Sequence, residues 1–316
     1  MNRSPFLFAI LLLCLGSLVG CGQKKQTGPK DERIHVVTTT TMITDMVQQI
    51  AGEEMRVTGL MGPGVDPHTY KAGSSDATAL QKADVIIYNG LLLEGRMSTR
   101  LDALAETRDS VLSLGGTLGE DQVFHPKDSE NHPDPHLWGD AQLWSTFPER
   151  VGDLLAEKDP DNAALYRERA QSVKAKYLEM HEWAKKEIAS IPEGNRYLIT
   201  SHDAFAYFGR AYGIEVIGVQ GISTDSEPGT AAIVKTIDFV KEHSVPAVFV
   251  ESSVSRKTID RISKDSGAVV GGELFSDAAG TPGEMMTIDG REVDLGTYEG
   301  MFMHNVDLVV KGLSRE

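Results

Sequence analysis

Asp66-Pro67-His68 and Asp134-Pro135-His136 deliver an imidazole twice on a stiff, proline-fixed turn, sixty-eight residues apart. Proline locks its own φ and cannot extend a helix, so the histidine after it has lost backbone freedom before any ligand arrives. Three more groups stand at the predicted carboxyl ends of strands, where open α/β sheets collect ligands. They are His202 after Tyr197-Leu198-Ile199-Thr200-Ser201, Glu251 closing the apolar run 246–250, and Asp277 after the segment 269–276. Imidazoles and carboxylates converging from separate strand ends suit a divalent transition metal, imidazole fitting zinc, manganese or iron and carboxylate adding charge and hardness. A histidine taken at random is more often a surface or hydrogen-bonded side chain. Strand-end position and the doubled tripeptide favour a metal role for His68, His136 and His202, and less strongly for Asp277. His35, His181, His243 and His304 fall inside predicted elements and read as structural.

The elements that must carry these groups follow from periodicity. β-Branched and apolar runs predict strands at 35–41, 55–61, 83–88, 197–200, 215–219, 247–250 and 268–271. Helical spacing predicts helices at 42–51, 76–82, 204–212, 230–243 and 257–266. Strands alternating with helices in both halves imply an α/β fold of two parallel-sheet lobes. Between them, 161–190 holds neither Gly nor Pro and spaces apolar residues by threes and fours, a single rigid helix of about 45 Å that joins the lobes as a stiff connector. The expected organisation is an N-terminal lobe over 34–160, the linker helix over 161–190 and a C-terminal lobe over 191–316. The acidic, proline-rich loop 119–134, with His125 and His132, is expected on the surface.

The first twenty residues stand apart. Met1-Asn2-Arg3-Ser4 is a short cationic start, and 5–19 is an almost unbroken apolar run, too short for a comfortable membrane span and similar to a secretory signal. It ends in Leu18-Val19-Gly20-Cys21, which resembles a bacterial lipobox with Cys21 as the lipidated first residue of the mature chain. Residues 22–33 read as a polar tether. Cys14 lies in the removed segment, leaving no disulfide and no thiolate metal site. Arg3 is the one charged side chain lost, so the formal charge moves from −15 to −16. Such acidity excludes a nucleic-acid footprint and is compatible with a cationic ligand.

Val65-Asp66-Pro67-His68-Thr69-Tyr70, Asp134-Pro135-His136-Leu137-Trp138, the segment from Thr200-Ser201-His202 to Tyr207-Phe208, and Gly221-Ile222-Ser223-Thr224-Asp225-Ser226-Glu227-Pro228 together resemble the TroA/ZnuA-like solute-binding proteins. These are the manganese- and zinc-binding lipoproteins of bacterial ABC importers. The resemblance covers about 34–312. It implies a metal solute-binding protein fold and one divalent ion, Zn²⁺ or Mn²⁺ with iron also in range, as transported ligand. It also implies ligands at the positions matched by His68, His136, His202 and Asp277, and a monomer that delivers to an ABC permease with its ATPase. The lipid would hold it to a membrane in the cell envelope, on the outer face of the cytoplasmic membrane or in the periplasm. Glu251 is better placed to accept a hydrogen bond from a ligating imidazole than to be a fifth ligand; a helix-capping or salt-bridged glutamate is the alternative. Coordinating imidazoles must be neutral, so three histidines would compete for protons near pH ~6.5.

Two departures bear on metal choice. Trp138-Gly139-Asp140-Ala141 stands where the family often has Trp-Leu-Asp-Pro. Manganese-preferring members commonly carry glutamate where His202 stands, whereas zinc-dedicated members often have a long histidine-rich loop and this chain offers only His125 and His132 there. Metal identity stays open on these grounds. Two other functions compete: a secreted zinc hydrolase, and a lipid-anchored adhesin with a structural metal. Four side chains would close the coordination shell that a catalytic zinc keeps open. No His-Glu-x-x-His, Gly-x-Ser-x-Gly, P-loop or dinucleotide fingerprint occurs, so the protein is read as not an enzyme.

Overall fold

The β-branched run that opens the folded chain divides between two elements. Strand β1 (His35–Thr38) stops at Thr38, and Thr41 already begins helix α1 (Thr41–Ala51). The split follows from burial: Met42, Ile43, Met46, Val47 and Ile50 bury one helical face, which a strand continued to 41 would turn out of register. This computed structural model describes residues 31–126 and 132–315. Cys21 and the expected signal segment lie outside them.

After α1 come β2 (Arg56–Gly59), α2 (Ser74–Lys82), β3 (Val85–Tyr88), α3 (Ser98–Ala105) and β4 (Val111–Ser113). The four strands make one parallel sheet in the order β2-β1-β3-β4. The helices α4 (Ala141–Trp144), α5 (Phe147–Lys158) and α6 (Ala163–Ala189) follow. The second half runs β5 (Tyr197–Thr200), α7 (Ala206–Tyr212), β6 (Glu215–Gly218), α8 (Thr230–Glu242), β7 (Ala247–Glu251), α9 (Lys257–Ser266) and β8 (Val269–Leu274). Its strands pair in parallel as β5-β6 and β7-β8, with β5 against β7. A hairpin of β9 (Met285–Ile288) and β10 (Arg291–Asp294) and the terminal helix α10 (Tyr298–Leu313) complete the chain. The expected α/β architecture with parallel sheets and one long helix is therefore present.

Helix α6 spans 27 residues, about 40 Å at 1.5 Å per residue. It is not a bare strut. Tyr166, Ala170, Val173, Tyr177, Met180, Ala184 and Ile188 form a buried stripe facing α1, α4, α5 and α10, whereas Leu178, which the apolar spacing would turn inward, is exposed. Gly152 of α5 lets that helix approach closely, since a Cβ there would lie 2.7 Å from the Cβ of Ala170. One apolar core is continuous from Val36, Ile43 and Val85 through Trp144, Tyr166 and Tyr177 to Phe208, Phe249, Tyr298 and Phe302. It runs without interruption from the first half of the chain to the second. Interiors packed at this density deform little. Among the described residues, no helix is long and apolar enough to cross a membrane.

Candidate metal centre

In both Asp-Pro-His tripeptides the aspartate folds back on its own turn. Asp66 Oδ1 accepts the backbone N–H of His68, and Asp134 Oδ1 accepts that of His136, each at 2.9 Å. Aspartate characteristically closes such turns two residues on, and the intervening proline leaves no second N–H to compete. Further contacts seat each turn. Gly95, at φ +51°, passes so close to the carbonyl of His68 that a Cβ would lie 2.3 Å from it. The Asn89 amide donates to the carbonyl of Pro135, and Tyr207 Oη to that of Asp134. Trp138 reaches across to donate to the carbonyl of Ser276, next to Asp277, at 2.7 Å.

His202 lies two residues past β5, and Asp277 three past β8. The fold brings His68, His136, His202 and Asp277 together with one potential ligand atom from each, all within 4.8 Å of one another and all four residues buried. His68 Nε2 stands 3.2 Å from His136 Nε2. Asp277 Oδ1 lies 3.5 Å from the Nε2 atoms of His136 and His202 and 4.0 Å from that of His68. A tetrahedron with metal–ligand bonds of about 2.0–2.1 Å has edges of roughly 3.3–3.4 Å, so the spacing is that of a shell around one ion. His202 Nε2 and Asp277 Oδ1 are buried without a hydrogen-bond partner. Such groups are costly to leave unpaired unless something occupies the space between them.

The outward-facing imidazole nitrogens are held by carboxylates. Asp134 Oδ1 lies 2.7 Å from His136 Nδ1, and Glu251 contacts both the backbone N and Nδ1 of His202. Glu251 thus has the arrangement expected of an acceptor for an imidazole. Asp134 was legible only as part of a turn, although its place two residues before a histidine carried the signal. Ser253 Oγ donates to Asp277 Oδ2 at 2.7 Å; nothing in the residue types around it marked that serine.

Burial opposes a charge on His136, but the charge and hydrogen bond of Asp134, with Asp277, outweigh it and raise the imidazole to about 9. His202 is moved the same way: burial opposes, and Glu251 and Asp277 prevail. His68 has the reverse balance. Burial, reinforced by the two neighbouring imidazoles, pushes it down to about 4 against Asp277 and Asp66. Asp277 is held well below the usual carboxylate range because the imidazoles outweigh its burial. The carboxylates behind and within the cluster, Asp134, Glu251 and Asp277, favour either protons on the imidazoles or a dication between them.

The remaining histidines are elsewhere. His35 Nε2 pairs with Thr58, His181 with the Tyr212 hydroxyl, and His304 with the carbonyl of Glu273, while His243 stacks on Phe239 at 4.0 Å between ring centroids. In the acidic loop, His125 pairs with Glu120 on the surface; residues 127–131 lie outside the described set. Gly139, the departure from Trp-Leu-Asp-Pro, lies where a Cβ would be 3.1 Å from the Phe208 nitrogen, and Asp140 caps α4.

The family model for the periplasmic component A of the zinc-uptake complex matches residues 36–312. The chain is 38% identical to the manganese-binding lipoprotein MntA of Bacillus subtilis over 97% of its own length and 98% of that protein's. It is 36% identical to the zinc-binding protein TroA of Treponema pallidum over 96% and 97%. The solved structure of the Treponema protein superposes with a TM-score of 0.82, covering 90% of this chain and all of that one. The Fe(III)-bound YtgA of Chlamydia trachomatis aligns at 25% identity and a TM-score of 0.76, over 89% and 98%.

Proposed function

Because the chain belongs to the family of the periplasmic zinc-uptake component A, we propose that it captures one divalent transition-metal ion at His68, His136, His202 and Asp277 and delivers it to an ABC importer. It is a substrate-binding protein and not an enzyme; the ion is cargo. Relatives named for manganese and zinc bracket the metals in question, and three imidazoles with one carboxylate serve either. Asp134 and Glu251 orient the imidazoles of His136 and His202. The bodies on either side of α6, 34–160 and 191–316, each contribute two of the four ligands, so modest relative tilting would open the shell for release. The partner is a permease with its ATPase, met by a single copy held to the membrane of the cell envelope through lipid on Cys21.

The observation that carries this reading is the pair of buried, unpartnered atoms His202 Nε2 and Asp277 Oδ1 facing the two other imidazoles. A hydrolase would leave a coordination position for water, whereas the four protein groups proposed here would close the shell. Calorimetric titration of demetallated protein with Zn²⁺ and with Mn²⁺ should give one site of 1:1 stoichiometry that His202→Ala removes. No binding of either ion, or full binding by the variant, would overturn the assignment.

A further inference from the structure

Two openings of opposite character flank the four-residue cluster, divided by the loop 221–228. The larger, a cleft of about 820 Å³, reaches His68 and His132 and, among the described residues, carries Lys71 and Arg96 beside Asp225. The smaller, about 210 Å³, has no basic residue among the described residues; Asp66 and Glu227 face it among the hydroxyls of Thr69, Ser201, Thr224, Ser253, Ser255 and Thr258. Its floor adjoins the cluster. Ser253 Oγ donates to Asp277 Oδ2, and Ser201 immediately precedes His202. Ser201 is 2% exposed, lines this cavity, and its Oγ has no hydrogen-bond partner.

We propose that this hydroxyl-lined cavity is a vestibule that takes the hydrated divalent cation before it sheds water into the His68–His136–His202–Asp277 shell. A dication approaching the larger cleft meets Lys71 and Arg96, whereas the smaller cavity offers two carboxylates and no cation. Six waters at about 30 Å³ each occupy about 180 Å³, so a cavity of about 210 Å³ has room for one hexahydrated ion. Hydroxyls and carboxylates are the acceptors that the polarised hydrogens of coordinated water require. The unpartnered Ser201 hydroxyl is one of them, and stands at the inner end. From there Ser253 leads to Asp277, the hardest ligand and the first able to replace a water. Glu227 holds the ion only in passage and is not one of the four groups of the final shell.

The inference rests on the proposed metal site, and kinetics separates the two. A group that stabilises the ion only in transit lowers the barriers to arrival and departure alike, leaving the equilibrium alone. Stopped-flow binding and chelator-driven release of Mn²⁺ and of Zn²⁺ would be compared in full-length protein, Glu227→Gln, Ser201→Ala and the double variant Lys71→Ala/Arg96→Ala. In Glu227→Gln, association and dissociation should both slow about tenfold at low ionic strength with affinity held within about twofold. Ser201→Ala should slow both in the same sense, and the double variant should bind no more slowly than the parent. Unchanged association in Glu227→Gln would overturn the vestibule, as would slowed association with unchanged dissociation, the mark of steering at a distance. So would kinetics altered by the double variant and not by Glu227→Gln. A parent protein that binds neither ion overturns the metal site and the vestibule with it.

Discussion

Asp134 Oδ1 lies 2.9 Å from the backbone nitrogen of His136 and 2.7 Å from its Nδ1, so one carboxylate oxygen sets both the main chain and the ring of the same histidine. Asp66 performs the first of these tasks for His68, through the equivalent oxygen at the same distance. The doubled tripeptide is therefore a doubled turn, with the carboxylate carrying ring control in the second copy.

Replacing Asp134 with Asn keeps an oxygen for the backbone bond and removes the charge behind the imidazole. Metal affinity is expected to fall about 10- to 100-fold, with the folded state retained. Chelator competition at pH 7.5 alongside circular dichroism checks both parts; parent-like affinity would show that Asp134 serves the turn alone.

Much of this centre is legible in the chain because its groups are attached to features with strong local signals. Proline before His68 and His136, and strand ends before His202 and Asp277, can be read from residue types over a few positions. What supports them is harder to read, since Glu251 to His202, Trp138 to Ser276 and Asn89 to Pro135 join residues 46 to 138 positions apart. The fold shows the same division. Strands β5 and β7 and helix α8 are carried by dense apolar patterns, whereas β4 has three residues and α4 four, too few for periodicity to register. Leu178, although apolar, follows Tyr177 by one residue and so turns off the buried stripe of α6 to the outside.

Glu94 gives a stability prediction. It is wholly buried, and burial outweighs the bonds from Thr39 and from the Asn89 and Gly90 backbone nitrogens to raise its carboxyl to about 7. Between the ordinary carboxyl range and pH 7 the folded chain holds a proton that the unfolded chain has released. Its contribution to stability is therefore present in acid and lost as pH rises through about 7. Glu94→Gln, with no proton to lose, should become more stable relative to the parent between pH 5 and 8. Thermal melts of metal-free protein across that range measure it, and a constant difference would refute the role of burial.

The uninterrupted core through α6 limits how the protein can move. Small-angle scattering curves of metal-free and metal-bound protein should nearly coincide, with release confined to slight tilting and loop rearrangement. A clear contraction on adding metal would mean that the contacts of α6 with α1, α5 and α10 are broken in the free state.

Lipidation is tested at Cys21, outside the described residues. Cys21→Ser should leave the precursor uncleaved or release the protein to the soluble fraction, because no other residue of the Leu18-Val19-Gly20-Cys21 segment can carry the thioether. A processed Cys21→Ser protein that stays with membranes would require another anchor.

The pH dependence of metal binding follows from which imidazoles are protonated before metal arrives. Histidines at their ordinary value would release three protons in concert near pH ~6.5, but the carboxylates behind them divide the set. His136 is raised to about 9 and His202 is raised also, whereas His68 is pushed down to about 4. Because both shifts are upward, His136 and His202 tend to hold protons in the free site near neutral pH, whereas His68 is already neutral there. Each proton must leave before its nitrogen can coordinate, so acid competes with metal and affinity falls as pH falls. The slope should be about two decades per pH unit near neutral pH, steepening towards three only near pH 4, where His68 joins. Removing the carboxylate behind one imidazole should lower that histidine towards its ordinary value, and in Asp134→Asn the slope above pH 7 should drop towards one. Competition with a chelator of known proton affinity, run from pH 8 to 5 on both proteins, gives the two slopes. A parent slope of one or less would mean that His136 or His202 is neutral in the free site or does not ligate. An unaltered slope in Asp134→Asn would place the second proton on a group other than His136.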